Sequence, residues 1–194
     1  MFRMICLALA LVSMASTVTA AQESNRNRLV GYLALGAGGE VTVDPDFAGS
    51  FDFDLDASVG LGLRYEILLG KLVSIAPMFE WLTYEPDDTF TDREHIIELG
   101  AFLKFRGIVS AGSVDLELYG GLPFCFAIAT VDDSAADEDA LLGFNLGVLG
   151  GIAAFFGKFG VFFEVGWRGH QLWRNDVRYG ANQAAINFGG MIAL

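Results

Sequence analysis

Residues 51 to 67 alternate without a break. Phe51, Phe53, Leu55, Ala57, Val59, Leu61, Leu63, Tyr65 and Ile67 are apolar, and every residue between them is polar, charged or glycine. Successive side chains leave a strand on opposite faces, so a period of two held over this length requires a strand with one apolar and one wet face. The wet face carries Asp52, Asp54, Asp56, Arg64 and Glu66. Related alternation recurs over 28–39, 72–84, 94–106, 114–129, 142–155, 159–172 and 183–194, which makes eight segments in all.

The connections between these segments alternate in kind. Leu69-Gly70-Lys71 and Gly157-Lys158 are tight reversals, and a somewhat longer turn at 106–114 contains Gly107 and Gly112. The other set, at 40–50, 85–93, 130–141 and 173–182, is longer and polar. Composition is 53% apolar with 24 glycines. Beyond residue 20, the longest apolar stretch, Leu141 to Phe156, is interrupted by Asn145 and falls short of a membrane helix, which needs roughly 20 residues. Lipid cannot satisfy open backbone groups, so a membrane chain without such a helix must close its sheet on itself. The sequence therefore predicts an all-β fold: an eight-stranded antiparallel up-and-down transmembrane β-barrel. Short turns are expected in the periplasm and long loops outside.

The first 20 residues read as an export signal, with Arg3, an apolar run from Met4 to Met14, and Val18-Thr19-Ala20 before Ala21. Cleavage after Ala20 is expected, leaving residues 21–194 as one barrel domain of about 174 residues (194 minus 20). Cys6 would depart with the signal, and Cys125 alone can form no internal disulfide.

The formal charge is −12, or −13 without Arg3, which argues against nucleic acid as a partner. Acidic residues gather in what read as the long loops: Glu40, Asp44, Asp46, Asp52, Asp54 and Asp56; Glu85, Asp87, Asp88, Asp92 and Glu94; Asp132, Asp133, Asp137, Glu138 and Asp139. Arg26, Arg28, Lys71, Lys104, Arg106 and Lys158 sit at the other strand ends, so the rims carry opposite charge. Aromatics form two sets that suit the membrane interfaces. Phe51, Phe53, Trp81, Tyr84, Trp167 and Trp173 lie near the long loops, and Tyr65, Phe105, Phe156 and Phe159 near the short turns.

With the export signal, the alternation at 51–67 and the ending Ala185-Ile186-Asn187-Phe188-Gly189-Gly190-Met191-Ile192-Ala193-Leu194, the chain resembles the eight-stranded outer-membrane β-barrel family of Gram-negative bacteria. That is the barrel type of outer-membrane proteins A, X and W. The resemblance implies location in the cell outer membrane among lipid and lipopolysaccharide, and delivery by the barrel-assembly machinery. Family members usually end in an aromatic residue, whereas this chain ends in Leu194.

Taking even positions inward on the second, third, fourth and seventh strands, and odd positions on the fifth, gives an interior list of mixed charge. It comprises Arg64, Glu66, Glu80, Glu98, Lys104, Arg106, Asp115, Glu117, Glu164 and Arg168. A barrel of eight strands has room inside for side chains and little else, so these groups should pair and plug the lumen. Gly60, Gly62, Gly100, Gly121, Gly143, Gly147, Gly151 and Gly166 share the inward parity and would make room for the long charged side chains. Leu61, Leu63, Phe79, Leu99, Leu103, Leu116, Leu118 and Val165, with Phe53, are expected to face lipid.

No residue set points to a reaction. Some barrels of this size modify lipid A with a rim histidine and a serine, but neither His95 nor His170 has a serine near it in sequence, and both read as rim residues at the interface. The run Asp132 to Asp139 lacks the spacing of a calcium loop, which leaves loose divalent binding at the acidic loops. The sequence favours a non-enzymatic outer-membrane barrel with acidic surface loops, a charge-plugged lumen and a structural or surface-interaction role, without cofactor or defined metal site. The alternatives are a narrow channel or conduit for small, including apolar, solutes, and a lipid A-modifying enzyme.

Overall fold

The computed structural model describes residues 26–45, 50–86, 94–111, 114–131, 140–174 and 177–194. Residues 1–20 and most of the acidic segments lie outside the described residues. The strands are β1 (Arg28–Pro45), β2 (Phe51–Leu68), β3 (Val73–Pro86), β4 (Glu94–Ala111), β5 (Val114–Val131), β6 (Leu141–Phe156), β7 (Phe159–Arg174) and β8 (Val177–Ala193). Each pairs antiparallel with its neighbours in sequence, and β8 returns to β1, closing the barrel. Closure removes every sheet edge, as lipid requires. Among the described residues no helix is long and apolar enough to cross a membrane.

The strands run further than their alternation suggested. Segment 40–45 belongs to β1, where Val43 pairs Tyr179 and Pro45 pairs Val177, so only residues 175–176 separate β7 from β8. The expected loop at 173–182 is thus mostly strand, and the turn expected at 106–114 shrinks to 112–113. Two bulges interrupt the ladders. The β1/β8 register shifts between Ala37 and Gly39, and the β2/β3 register between Leu55 and Ala57. Gly38 takes φ 59° at the first of these, a conformation open to glycine without steric cost. One inserted residue reverses the parity beyond it. Val41 therefore packs on the interior with Tyr179 and Ala181, and Thr42 donates to Asp52 across the ladder on the exposed side at 2.9 Å.

The wall has an apolar exterior. Leu61 is 55% exposed and Phe124 60%. Leu63, Phe79, Leu99, Leu116, Leu118 and Val165 are likewise exposed, and Leu103 is half-buried. The Phe53 side chain lies outside the described residues. Trp81, Trp167 and Trp173 are exposed toward the long-loop end, and Tyr65, Phe105, Phe156 and Phe159 toward the short turns. Tyr84 departs from the belt expected for it: it is buried on the inner face. The tight turn at Gly157-Lys158 uses a positive φ of 63° at Gly157.

The inward glycines serve rings and backbones more than charged side chains. A Cβ on Gly62 would land on the Tyr32 ring, on Gly121 on the Phe102 ring, and on Gly151 on the Tyr119 ring. At Gly60, Gly100, Gly143 and Gly166 it would strike the neighbouring strand's carbonyl oxygen. Close approach of strands and aromatic packing therefore account for most of these glycines.

Candidate functional site: the charged lumen

Inward parity brings together side chains that lie about 90 to 100 positions apart in sequence, such as Arg28 with Glu117 and Arg64 with Glu164. Five cations (Arg28, Arg64, Lys104, Arg106, Arg168) and five carboxylates (Glu66, Glu80, Glu98, Glu117, Glu164) are buried among the described residues. They fall into three layers.

Near the short turns, Glu117 accepts from Arg28 at 2.8 Å and Arg106 at 3.1 Å and pairs with Lys104 at 2.6 Å. Glu66 pairs with Lys104 at 3.2 Å and accepts the Ser74 hydroxyl at 2.6 Å. Arg106 also donates to the carbonyl of Gly70, which ties this layer to the turn below it. In the middle, Arg64 donates to both oxygens of Glu164 at 2.7 and 3.0 Å. Its guanidinium lies over the rings of Tyr32 and Phe102 at 4.3 and 4.2 Å. Tyr119 and Asn187 supply Glu164 with two further donors, at 3.1 and 3.0 Å.

Toward the long loops, Arg168 pairs with Glu80 and His170 with Glu98. Tyr32 donates to Glu80 at 2.6 Å and Asn145 to Glu98 at 2.7 Å. A hydrogen-bonded chain continues from His170 Nδ1 through Tyr84 to Gln183 and Ser58. Burying charge is costly unless each group is paired and hydrogen-bonded; partners from several strands pair these charges, while Nε and Nη2 of Arg64 are buried without a hydrogen-bond partner among the described residues.

Of the residues singled out in sequence, Arg64, Glu66, Glu80, Glu98, Lys104, Arg106, Glu117, Glu164 and Arg168 share this interior. Asp115 does not: its carboxylate accepts the Ser110 hydroxyl at 2.6 Å on the exposed short-turn rim. His170 also departs from its expected place at the interface. It is fully buried in the lumen, whereas His95 stays at the wall, stacked on Trp81 with centroids 5.7 Å apart.

The sequence did not place Arg28, Tyr32, Asn145, His170, Gln183 or Asn187 in the lumen, where all six are buried. For His170 the signal was present, since it continues the even parity of Glu164 and Arg168. Asn145 and Asn187 are polar interruptions within apolar runs. One void among the described residues, lined by Arg64, Glu66, Phe102, Lys104, Tyr119 and Glu164 among others, measures about 10 Å³. That is room for a single water.

No family model matches the chain, and no curated protein matches it by sequence. Solved structures similar to it include Neisserial surface protein A, at 16% identity, covering 84% of this chain and 97% of that one with a TM-score of 0.44. The attachment invasion locus protein of Yersinia pestis is similar at 14% identity, covering 86% and 99%, with a TM-score of 0.41. Outer membrane protein OprG from Pseudomonas aeruginosa shares 10% identity over 89% and 97%, with a TM-score of 0.45. The described residues close into an eight-stranded antiparallel β-barrel, and its closed wall, apolar exterior and paired, charged interior are what a bilayer demands of a strand-built span.

Proposed function

We propose that this protein is a non-enzymatic, non-conducting outer-membrane barrel whose business lies on its outer surface, with the lumen serving as a structural plug. One observation carries the reading: among the described residues the interior is filled by paired charges and aromatic rings, and a void between them measures about 10 Å³. A solute path would need a continuous hydrated column, and a reaction would need an accessible nucleophile or acid. The buried His170, held between Glu98 and Tyr84, offers neither access nor a neighbouring nucleophile. We infer from the sequence that its acidic runs, Asp132 to Asp139 among them, take its partners, including loosely held divalent cations and lipopolysaccharide. Planar-bilayer recording of the refolded protein tests the plug. No stable unitary conductance is expected, and large, long-lived channels would replace this reading with transport.

A further inference from the structure

Arg64 enters the lumen with more donors than its partners use. Its Nη1 donates to both oxygens of Glu164 at 2.7 and 3.0 Å, and the rings of Tyr32 and Phe102 lie over the guanidinium at 4.3 and 4.2 Å. Nε and Nη2, the two nitrogens of its side-on edge, have no hydrogen-bond partner among the described residues, although Arg64 is only 3% exposed. A buried donor left unmet loses its hydration without return, and on Arg64 two such donors share one edge.

The same residue lines the void of about 10 Å³, together with Glu66, Ala76, Phe102, Lys104 and Glu164. That volume admits one ligand the size of water, which needs roughly two to four polar partners. The charged groups of the lining are two cations, Arg64 and Lys104, and two carboxylates, Glu66 and Glu164. An anion would face the carboxylates and a cation would face the guanidinium. A neutral molecule that accepts on one side and donates on the other suits both. One oxygen can take both N–H groups of a side-on guanidinium edge: at the rim, Nε and Nη2 of Arg178 both donate to Gln171 Oε1, at 2.9 and 2.6 Å. Acceptors for the ligand's own protons are at hand, since Glu66 follows Arg64 by two residues on the buried face of β2.

We propose that the void is the site of a single resident water, which accepts from Nε and Nη2 of Arg64 and donates to the carboxylates of Glu66 and Glu164. The water ties the middle layer of the plug to the layer near the short turns, and fixes Arg64 on the edge that Glu164 does not hold. The proposal rests on the plugged lumen described above. It is tested by a high-resolution crystal structure of the refolded mature barrel grown from bromide-containing solution, and by urea titration of Ala76→Val and Ala76→Thr.

The wild-type crystal should show one solvent peak within hydrogen-bond reach of both Arg64 nitrogens and of a Glu66 or Glu164 oxygen, without the anomalous signal of bromide. Anomalous scattering at that position would make the ligand an anion, and an ordered lumen with no peak there would make the void dry. Either result overturns the proposal. Ala76 is buried and lines the void, so Ala76→Val should displace the water, strand the Arg64 donors and raise the unfolding equilibrium constant about tenfold. Ala76→Thr adds a side chain of nearly the same shape that returns an oxygen to the site, and should stay near wild type. Equal losses in the two variants would mean that shape alone matters, and an Ala76→Val barrel as stable as wild type would mean that nothing was displaced. Both outcomes count against the water. A continuous column of solvent peaks along the lumen would instead overturn the plug itself, whereas an ordered, filled lumen with a dry void overturns the water alone.

Discussion

Arg64→Met probes whether the lumen is dry enough for ion pairs to matter. Arg64 is 3% exposed and Glu164 1%, so the substitution leaves a carboxylate buried without its cation. Breaking a buried pair from one side costs about 3–5 kcal/mol. Glu164 keeps its hydrogen bonds from Tyr119 and Asn187, which pulls the electrostatic cost toward the lower figure. Loss of the guanidinium over Tyr32 and Phe102 adds about 1 kcal/mol or more. A total near 4 kcal/mol, with a slope of about 2 kcal/mol per molar urea, lowers the unfolding midpoint by roughly 2 M.

Equilibrium urea titration of the barrel in micelles, followed by tryptophan emission and by gel mobility, measures that shift. The double variant Arg64→Met with Glu164→Gln should recover much of the loss, because no uncompensated charge remains. The four-way cycle then isolates the pair from its packing. A single-variant loss below about 1 kcal/mol would be the value of a solvated pair, and would refute the idea of a dry, plugged lumen.

Gly62→Ala should destabilise by about 1–3 kcal/mol, since its Cβ falls on the Tyr32 ring, while Gly150→Ala, with nothing within 4 Å, should be near neutral; urea midpoints of the two variants decide it. Leu61→Arg places a cation on the lipid face at a site 55% exposed and should cost about 2–4 kcal/mol near the midplane. Its yield of heat-modifiable, membrane-integrated barrel should fall well below wild type, and unchanged yield would show that this face does not meet lipid. An epitope inserted beside Ala136 should be labelled on intact cells and one beside Lys158 only after permeabilisation. The reverse pattern would invert the barrel.

Period-two alternation is a local property, and so the sequence by itself determined the β class, the number of strands and the face on which most residues lie. Leu61 against Gly60 and Gly62 is decided by pleat geometry alone, since lipid accepts only one of the two faces. The tight turns were equally legible, because Gly157 with its positive φ serves a reversal only a few residues long. What lay beyond reach were quantities set by the stagger of one strand on the next. Beyond the bulge at Gly38, β1 continues through a stretch that reads as loop, and its pairing with β2 on one side and β8 on the other makes it a strand.

Inward parity placed Arg64 and Glu164 on the same side of the wall. Their meeting across the lumen, and the meeting of Arg168 with Glu80 and of His170 with Glu98, depends on the height at which each strand carries its charge, and closure of the ring sets that height. Asp115 shows the same rule from the other side. It shares the parity of Glu117, yet two residues nearer the turn its carboxylate clears the lumen and meets Ser110 at the exposed rim. Side-chain direction is written residue by residue along the chain, whereas partnership inside a barrel is a property of the closed ring.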